Sequence, residues 1–131
     1  MTIRISPYLR RVLALDAVTS GVAGIAMIAG AGMIAGLTGL PSALLFWAGI
    51  VLLPWTAALT FFASRQAIPR LALVDIAAIN ALWVAASVGL LVTGWIAPNV
   101  LGVLFVLAQA GAVLVFTLLQ VGALRPAAQT A

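Results

Sequence analysis

Two carboxylates and two neutral hydrogen-bonding side chains lie inside apolar stretches at one fixed spacing from the arginines of this chain. Asp16 follows Arg11 by five residues and Asp75 follows Arg70 by five, while Thr60 precedes Arg65 by five and Gln120 precedes Arg125 by five. Polar groups are costly in hydrocarbon and as a rule face protein or trapped water, so a shared spacing marks a polar layer. At a helical rise of about 1.5 Å per residue, the layer lies about 7 to 8 Å inside the arginines, within reach of water. Two kinds of chemistry suit it. One is structural, with salt bridges and interhelical hydrogen bonds pinning the helices together, each worth about 0.6 to 2 kcal/mol. The other is a cytoplasm-facing vestibule whose aspartates bind a cation, a proton or a polar head group. An i to i+5 separation turns about 140° around a helix, so Arg11 and Asp16 do not share a face. The expected ion pairs are therefore crossed, Arg70 with Asp16 and Arg11 with Asp75.

A deeper polar set follows, made of Ser20, Thr56, Asn80, Ser87 and Gln109. Helical spacing puts Asp16, Thr19, Ser20, Ala23 and Met27 on one face. Asn80, Trp83 and Ser87 share another, and Gln109, Ala112, Val113, Phe116 and Gln120 a third. Such stripes are expected to point into a bundle. If they converge, they enclose a narrow, half-polar interior bounded by Trp83 and Phe116, suited to an elongated lipid or quinone-like molecule.

The elements that carry these stripes follow from composition. Of 131 residues, 66% are hydrophobic and 6% charged, too few polar groups to cover a water-soluble globule, so the bilayer must act as solvent. A span needs about 20 apolar residues, and four of them with short turns use nearly the whole length. The predicted fold is an all-α membrane protein, a four-helix up-down bundle. Its transmembrane domain covers 12–124, with spans at about 12–37, 42–64, 71–95 and 99–124. Residues 1–11 form an interfacial lead in which Tyr8 is an anchor, and 125–131 a frayed cytoplasmic tail.

Every basic residue lies outside the spans. Arg4, Arg10 and Arg11 precede the first, Arg65 and Arg70 separate the second from the third, and Arg125 follows the fourth. By the positive-inside rule, both termini and the middle loop are cytoplasmic, and the topology anchors are Arg10, Arg11, Arg65, Arg70 and Arg125. The expected location is a bacterial inner membrane. Cleavage of the first span as a signal is disfavoured by Asp16 within it and by apolar residues continuing to Leu37.

Local signals divide the spans. Gly39-Leu40-Pro41 and Pro98-Asn99 make the outer turns, with Asn99 a candidate N-cap, and Pro69 is placed to start the third span. Pro54, in mid-span, is expected to kink the second. Ala17-xxx-Gly21 and Gly32-xxx-Gly36 permit close helix approach, within the bundle or between subunits. Arg11-Val-Leu-Ala-Leu-Asp16 matches Arg70-Leu-Ala-Leu-Val-Asp75, which suggests a duplicated helical hairpin.

Composition also excludes functions. The net charge of +4 comes from arginines scattered at span ends, which suits lipid headgroups and not nucleic acid. With no cysteine, histidine or lysine, thiolate chemistry, imidazole ligation and an evident base for a nucleophile are absent. No catalytic, metal or cofactor site is expected. The remaining enzymatic idea, a paired-aspartate membrane hydrolase, needs Asp16 and Asp75 side by side. The favoured function is a non-catalytic integral membrane protein, either an accessory or scaffold subunit or a holder of a lipid or quinone-like molecule. The alternative is a small oligomeric transporter or channel using Asp16 and Asp75. Its expected partners are the lipid bilayer and a homo-oligomer or larger membrane complex.

Two resemblances bear on these readings. A carboxylate in the first span is similar to small four-span multidrug exporters, which work as dimers. Those proteins hold the acid deeper, and some insert both ways, which the one-sided arginines here forbid. The segments SPYLRRVLALDAVTSG, NALWVAAS and GWIAPNVLGVLFVLAQA resemble a group of uncharacterised small bacterial membrane proteins over nearly the whole chain. That likeness implies a four-helix architecture and no activity.

Overall fold

The structure, a computed structural model, describes residues 1–125. The predicted tail beyond Arg125 lies outside the described residues. In chain order the elements are β1 (Thr2–Arg4), α1 (Pro7–Ala29), α2 (Ala31–Thr38), α3 (Ser42–Ala63), β2 (Ala67–Pro69), α4 (Arg70–Thr93) and α5 (Val100–Gly122). Four of these helices, α1, α3, α4 and α5, are long and apolar enough to cross a bilayer, the mark of a multi-pass membrane protein. Their outward residues agree, since Leu15, Val18, Val22 and Ile25 of α1 and Leu104, Leu107, Leu114 and Leu118 of α5 are exposed. In lipid this surface carries no penalty, whereas in water it would be a large apolar patch.

Sequence chemistry sets the helix boundaries. Ser6 caps α1, its hydroxyl accepting from the Leu9 amide at 3.1 Å, with Pro7 in the first turn, where its missing N–H costs nothing. Asn99 caps α5 by accepting from the Gly102 amide at 2.9 Å. Gly39 ends α2 in the left-handed region at φ 73°, as does Gly94 beyond α4.

One expectation about the spans changes. The first span is two helices, broken at Gly30, whose φ of −106° and ψ of 15° leave the helical region. The second is one helix that contains Pro54, and Thr56 donates to the Leu52 carbonyl at 2.8 Å one turn away. Within the lead, residues 1–11, lies a strand that the sequence does not signal. β1 pairs antiparallel with β2, Ile3 opposite Ile68, and both isoleucines are buried. Among the described residues the fold is thus helical with one two-stranded addition.

Packing is close within two pairs of helices, α1 with α3 and α4 with α5, and sparser between the pairs. Glycine explains the first. A Cβ on Gly49 would come within 2.7 Å of the Gly24 carbonyl oxygen, so the α1 and α3 backbones meet where neither carries a side chain. This contact lies one turn beyond the Ala17-xxx-Gly21 pattern, and the faces of Gly32 and Gly36 meet nothing within 4 Å. Near the sheet, Arg10 donates to the Ala63 carbonyl and Arg70 to the Leu124 carbonyl at 3.2 Å, joining the starts of α1 and α4 to the ends of α3 and α5.

Candidate functional site

One carboxyl gathers three helices. Asp16 is 2% exposed, and its Oδ2 accepts from Asn80 Nδ2 of α4 at 2.9 Å and from Gln120 Nε2 of α5 at 2.8 Å. Asn80 Nδ2 also donates to Gln120 Oε1 at 2.9 Å, so each pair within the trio is linked. The Ser20 hydroxyl, one turn along α1, donates to Asp16 Oδ1 at a longer 3.3 Å. Asn80 and Gln120 are as buried as Asp16, and no buried side-chain nitrogen or oxygen among the described residues lacks a partner. The carboxyl is thus held by neutral donors alone.

The crossed ion pairs are not formed. Arg10 and Arg70 spend their guanidinium groups on backbone carbonyls, and Arg65 sits over the Phe61 ring at 5.4 Å. Asp75 is exposed on α4 and takes no hydrogen bond among the described residues. Thr60 is exposed too, its hydroxyl turned back on the Thr56 carbonyl at 2.8 Å. The cause is register. Arg11 lies one turn inside α1, which begins at Pro7, whereas Arg70 is the first residue of α4, so five residues past each arginine is not one depth. Asn80, not Asp75, then reaches the depth of Asp16. Of the predicted layer, Asp16 and Gln120 come together, Asn80 and Ser20 join them from the deeper set, and Thr60 and Asp75 stand outside.

Farther along the bundle, Gln109 organises a second node. Its Oε1 accepts from Trp83 Nε1 at 2.7 Å, and its Nε2 donates to Ser87 Oγ at 3.0 Å and to the Val106 carbonyl at 2.8 Å. Ser87 in turn donates to the Trp83 carbonyl at 2.8 Å. These bonds tie α4 to α5 and orient the indole across the interior.

Between the two helix pairs runs a cleft of about 340 Å³. From α1 it is lined by Asp16, Thr19, Ser20, Ala23 and Met27, the stripe read from spacing. Trp83 and Ser87 of α4 and Gln109, Ala112, Val113 and Phe116 of α5 line it as well. Its α3 wall, Leu44, Leu45, Ala48 and Leu52, was not singled out from the sequence. A signal for it existed, since Leu45, Leu52 and Leu59 recur every seven residues and all three are buried. The cleft is apolar along most of its length, with Asp16 and Ser20 at one end and Leu40 and Ile96 at the other. Chemically it offers a hydrocarbon slot with hydrogen-bonding groups at one end and one amide at mid-length. No known protein family, characterised protein or solved structure matches this chain.

Proposed function

We propose that this protein is a non-catalytic integral membrane protein that holds one elongated apolar molecule, of lipid or quinone type, between its two helix pairs. The observation that carries the reading is the 340 Å³ cleft, apolar on four helices and ending on Asp16 and Ser20. Binding sites for small apolar ligands have this make-up, a concave hydrophobic wall with a few convergent polar groups that fix orientation. A scaffold alone gains nothing from leaving such a space unfilled, because voids forfeit dispersion contacts. The transport reading draws on Asp16 and Asp75 acting together, and the exposure of Asp75 on α4 weighs against it.

In the membrane the four long helices run up and down in turn. The end that carries the strand pair, Arg10, Arg65 and Arg70 faces the cytoplasm of a bacterial inner membrane. The one-sided arginines support this orientation. Mass spectrometry of the intact protein, extracted without detergent exchange, tests the holding function. A chain that carries one discrete lipid-like mass supports it, and a chain that is always empty refutes it.

A further inference from the structure

The cleft is shut at both ends. Toward the sheet, the Asp16–Asn80–Gln120 trio closes it, and below the trio Ile3, Leu9, Leu13, Ile68 and Leu73 form a buried apolar cluster. At the other end Leu40 is buried and packs in one cluster with Leu45 and Ile96. There Asn99 donates its amide N–H to the Thr38 carbonyl and its side chain to the Leu37 carbonyl, both at 2.9 Å. Water therefore has no ready path along the bundle axis.

The sides are unequal. α1 is closed onto α3 by Gly24 and Gly49, α4 onto α5 by Gln109, and α1 onto α5 by Asp16 with Gln120. α3 and α4 scarcely touch. A second hollow of about 340 Å³ occupies that seam, between Val51, Pro54 and Ala58 of α3 and Ile79 and Asn80 of α4. It shares Ser20, Leu52, Trp83 and Val113 with the cleft, so the two spaces meet at a common wall. Its rim faces outward, with Val51 57% and Ile79 48% exposed.

We infer that the α3–α4 seam is a lateral doorway and that the held molecule comes from the bilayer, a single-chain amphiphile with a hydrogen-bond-donating head, alcohol or amine. This rests on the holding function proposed above. The rim is apolar and lies within spanning helices, where hydrocarbon chains are the available solute. The head follows from the donor count. Asn80 Nδ2 already donates to Asp16 Oδ2 and Gln120 Oε1, and Gln120, fully buried, donates to Asp16 Oδ2, whereas Asp16 Oδ1 accepts only the distant Ser20 hydroxyl and keeps acceptor capacity. A donating head reaching Ser20 and Asn80 through the seam meets that oxygen, and its chain extends toward Leu40 and Ile96.

The test uses the full chain in phosphatidylcholine vesicles and a long-chain alcohol bearing a photoreactive diazirine at mid-chain. After addition of the probe, flashes at increasing delays are followed by peptide mass spectrometry. The parent is expected to be labelled at Ala112, Val113 or Phe116, inside the cleft. The paired change Val51→Trp and Ile79→Trp, which narrows the rim and leaves the cleft's own walls unchanged, should slow the onset of that labelling. The slowing expected is about tenfold, the effect of roughly 1.4 kcal/mol on a barrier, with the final level retained. Val22→Trp with Leu118→Trp, on outward faces away from the seam, should keep the parent's rate. An unchanged rate in the seam variant overturns the doorway and leaves the holding function standing. Absence of interior labelling in the parent overturns the holding function itself. A fatty acid carrying the same photoreactive chain should label the cleft less, and equal labelling would overturn the assignment of the head.

Discussion

Gln120 Nε2 lies 2.8 Å from Asp16 Oδ2, a hydrogen bond between residues 104 apart in the chain. It joins the first long helix to the last, and Asn80 completes the trio from α4. In hydrocarbon the helices gain little from being apolar, because lipid tails are equally so. A shared polar knot fixes their register where apolar packing alone would tolerate sliding.

Breaking the knot should cost more than neutralising it. Gln120→Leu or Asn80→Leu removes two of its bonds and leaves a buried partner unmatched, a loss of about 1 to 3 kcal/mol. Asp16→Asn keeps an oxygen facing both donors, and its new amide can donate to Ser20 Oγ, so about 0.5 kcal/mol or less is expected. Denaturation in mixed micelles measures the difference. Equal losses in all three variants would mean that the carboxyl, and not the geometry of the trio, holds the helices.

The glycines should divide into two groups. Gly49→Ala drives a methyl against the Gly24 carbonyl and Ile28, with an overpacking cost of about 1 to 3 kcal/mol. Gly32→Ala and Gly36→Ala meet open space and should be neutral or stabilising by up to about 1 kcal/mol, since alanine favours helix. The same unfolding assay reads both. Destabilisation at Gly32 or Gly36 would mean that a second chain covers α2.

Much of this was legible in the residues, and the exceptions have physical causes. The stripes through Asp16, Trp83 and Gln109 follow from helical period and line the cleft, and Asn99 announces itself as a cap. The partners of Asp16 are not legible from the arginines, which do not mark one depth. Arg11 falls inside α1 and Arg70 at the very start of α4, and the three-residue strands that precede α4 and α1 have no periodicity to betray them. Gly30 divides the first span because glycine lets the backbone leave the helical region, and a lone glycine among many small residues gives no sign of it.

Cysteines introduced into this cysteine-free chain should report the same division. Thiols at Thr60 and Asp75 are expected to react with a membrane-impermeant reagent applied from the cytoplasmic side. Thiols at Asp16 and Gln120 should stay protected, because reaction needs both access and thiolate formation. Reaction at all four positions would restore a wet vestibule.

Orientation is checked by reporter fusions. Those at residues 1 and 67 and after Arg125 should read cytoplasmic, and those near 40 and 98 external. An external signal at residue 67 would refute the topology.

The central claim is that the cleft is filled by a molecule other than protein, and filling it with protein tests this most directly. Ala23→Phe and Ala112→Phe each project a ring into the cleft from a different helix. Intact-mass spectra of parent and variants, extracted identically, are then compared. The parent is expected to carry one discrete lipid-like or quinone-like adduct, and both variants should lose it while unfolding no more easily than the parent. An adduct retained at equal occupancy in both filled variants would contradict the account, as would an empty parent.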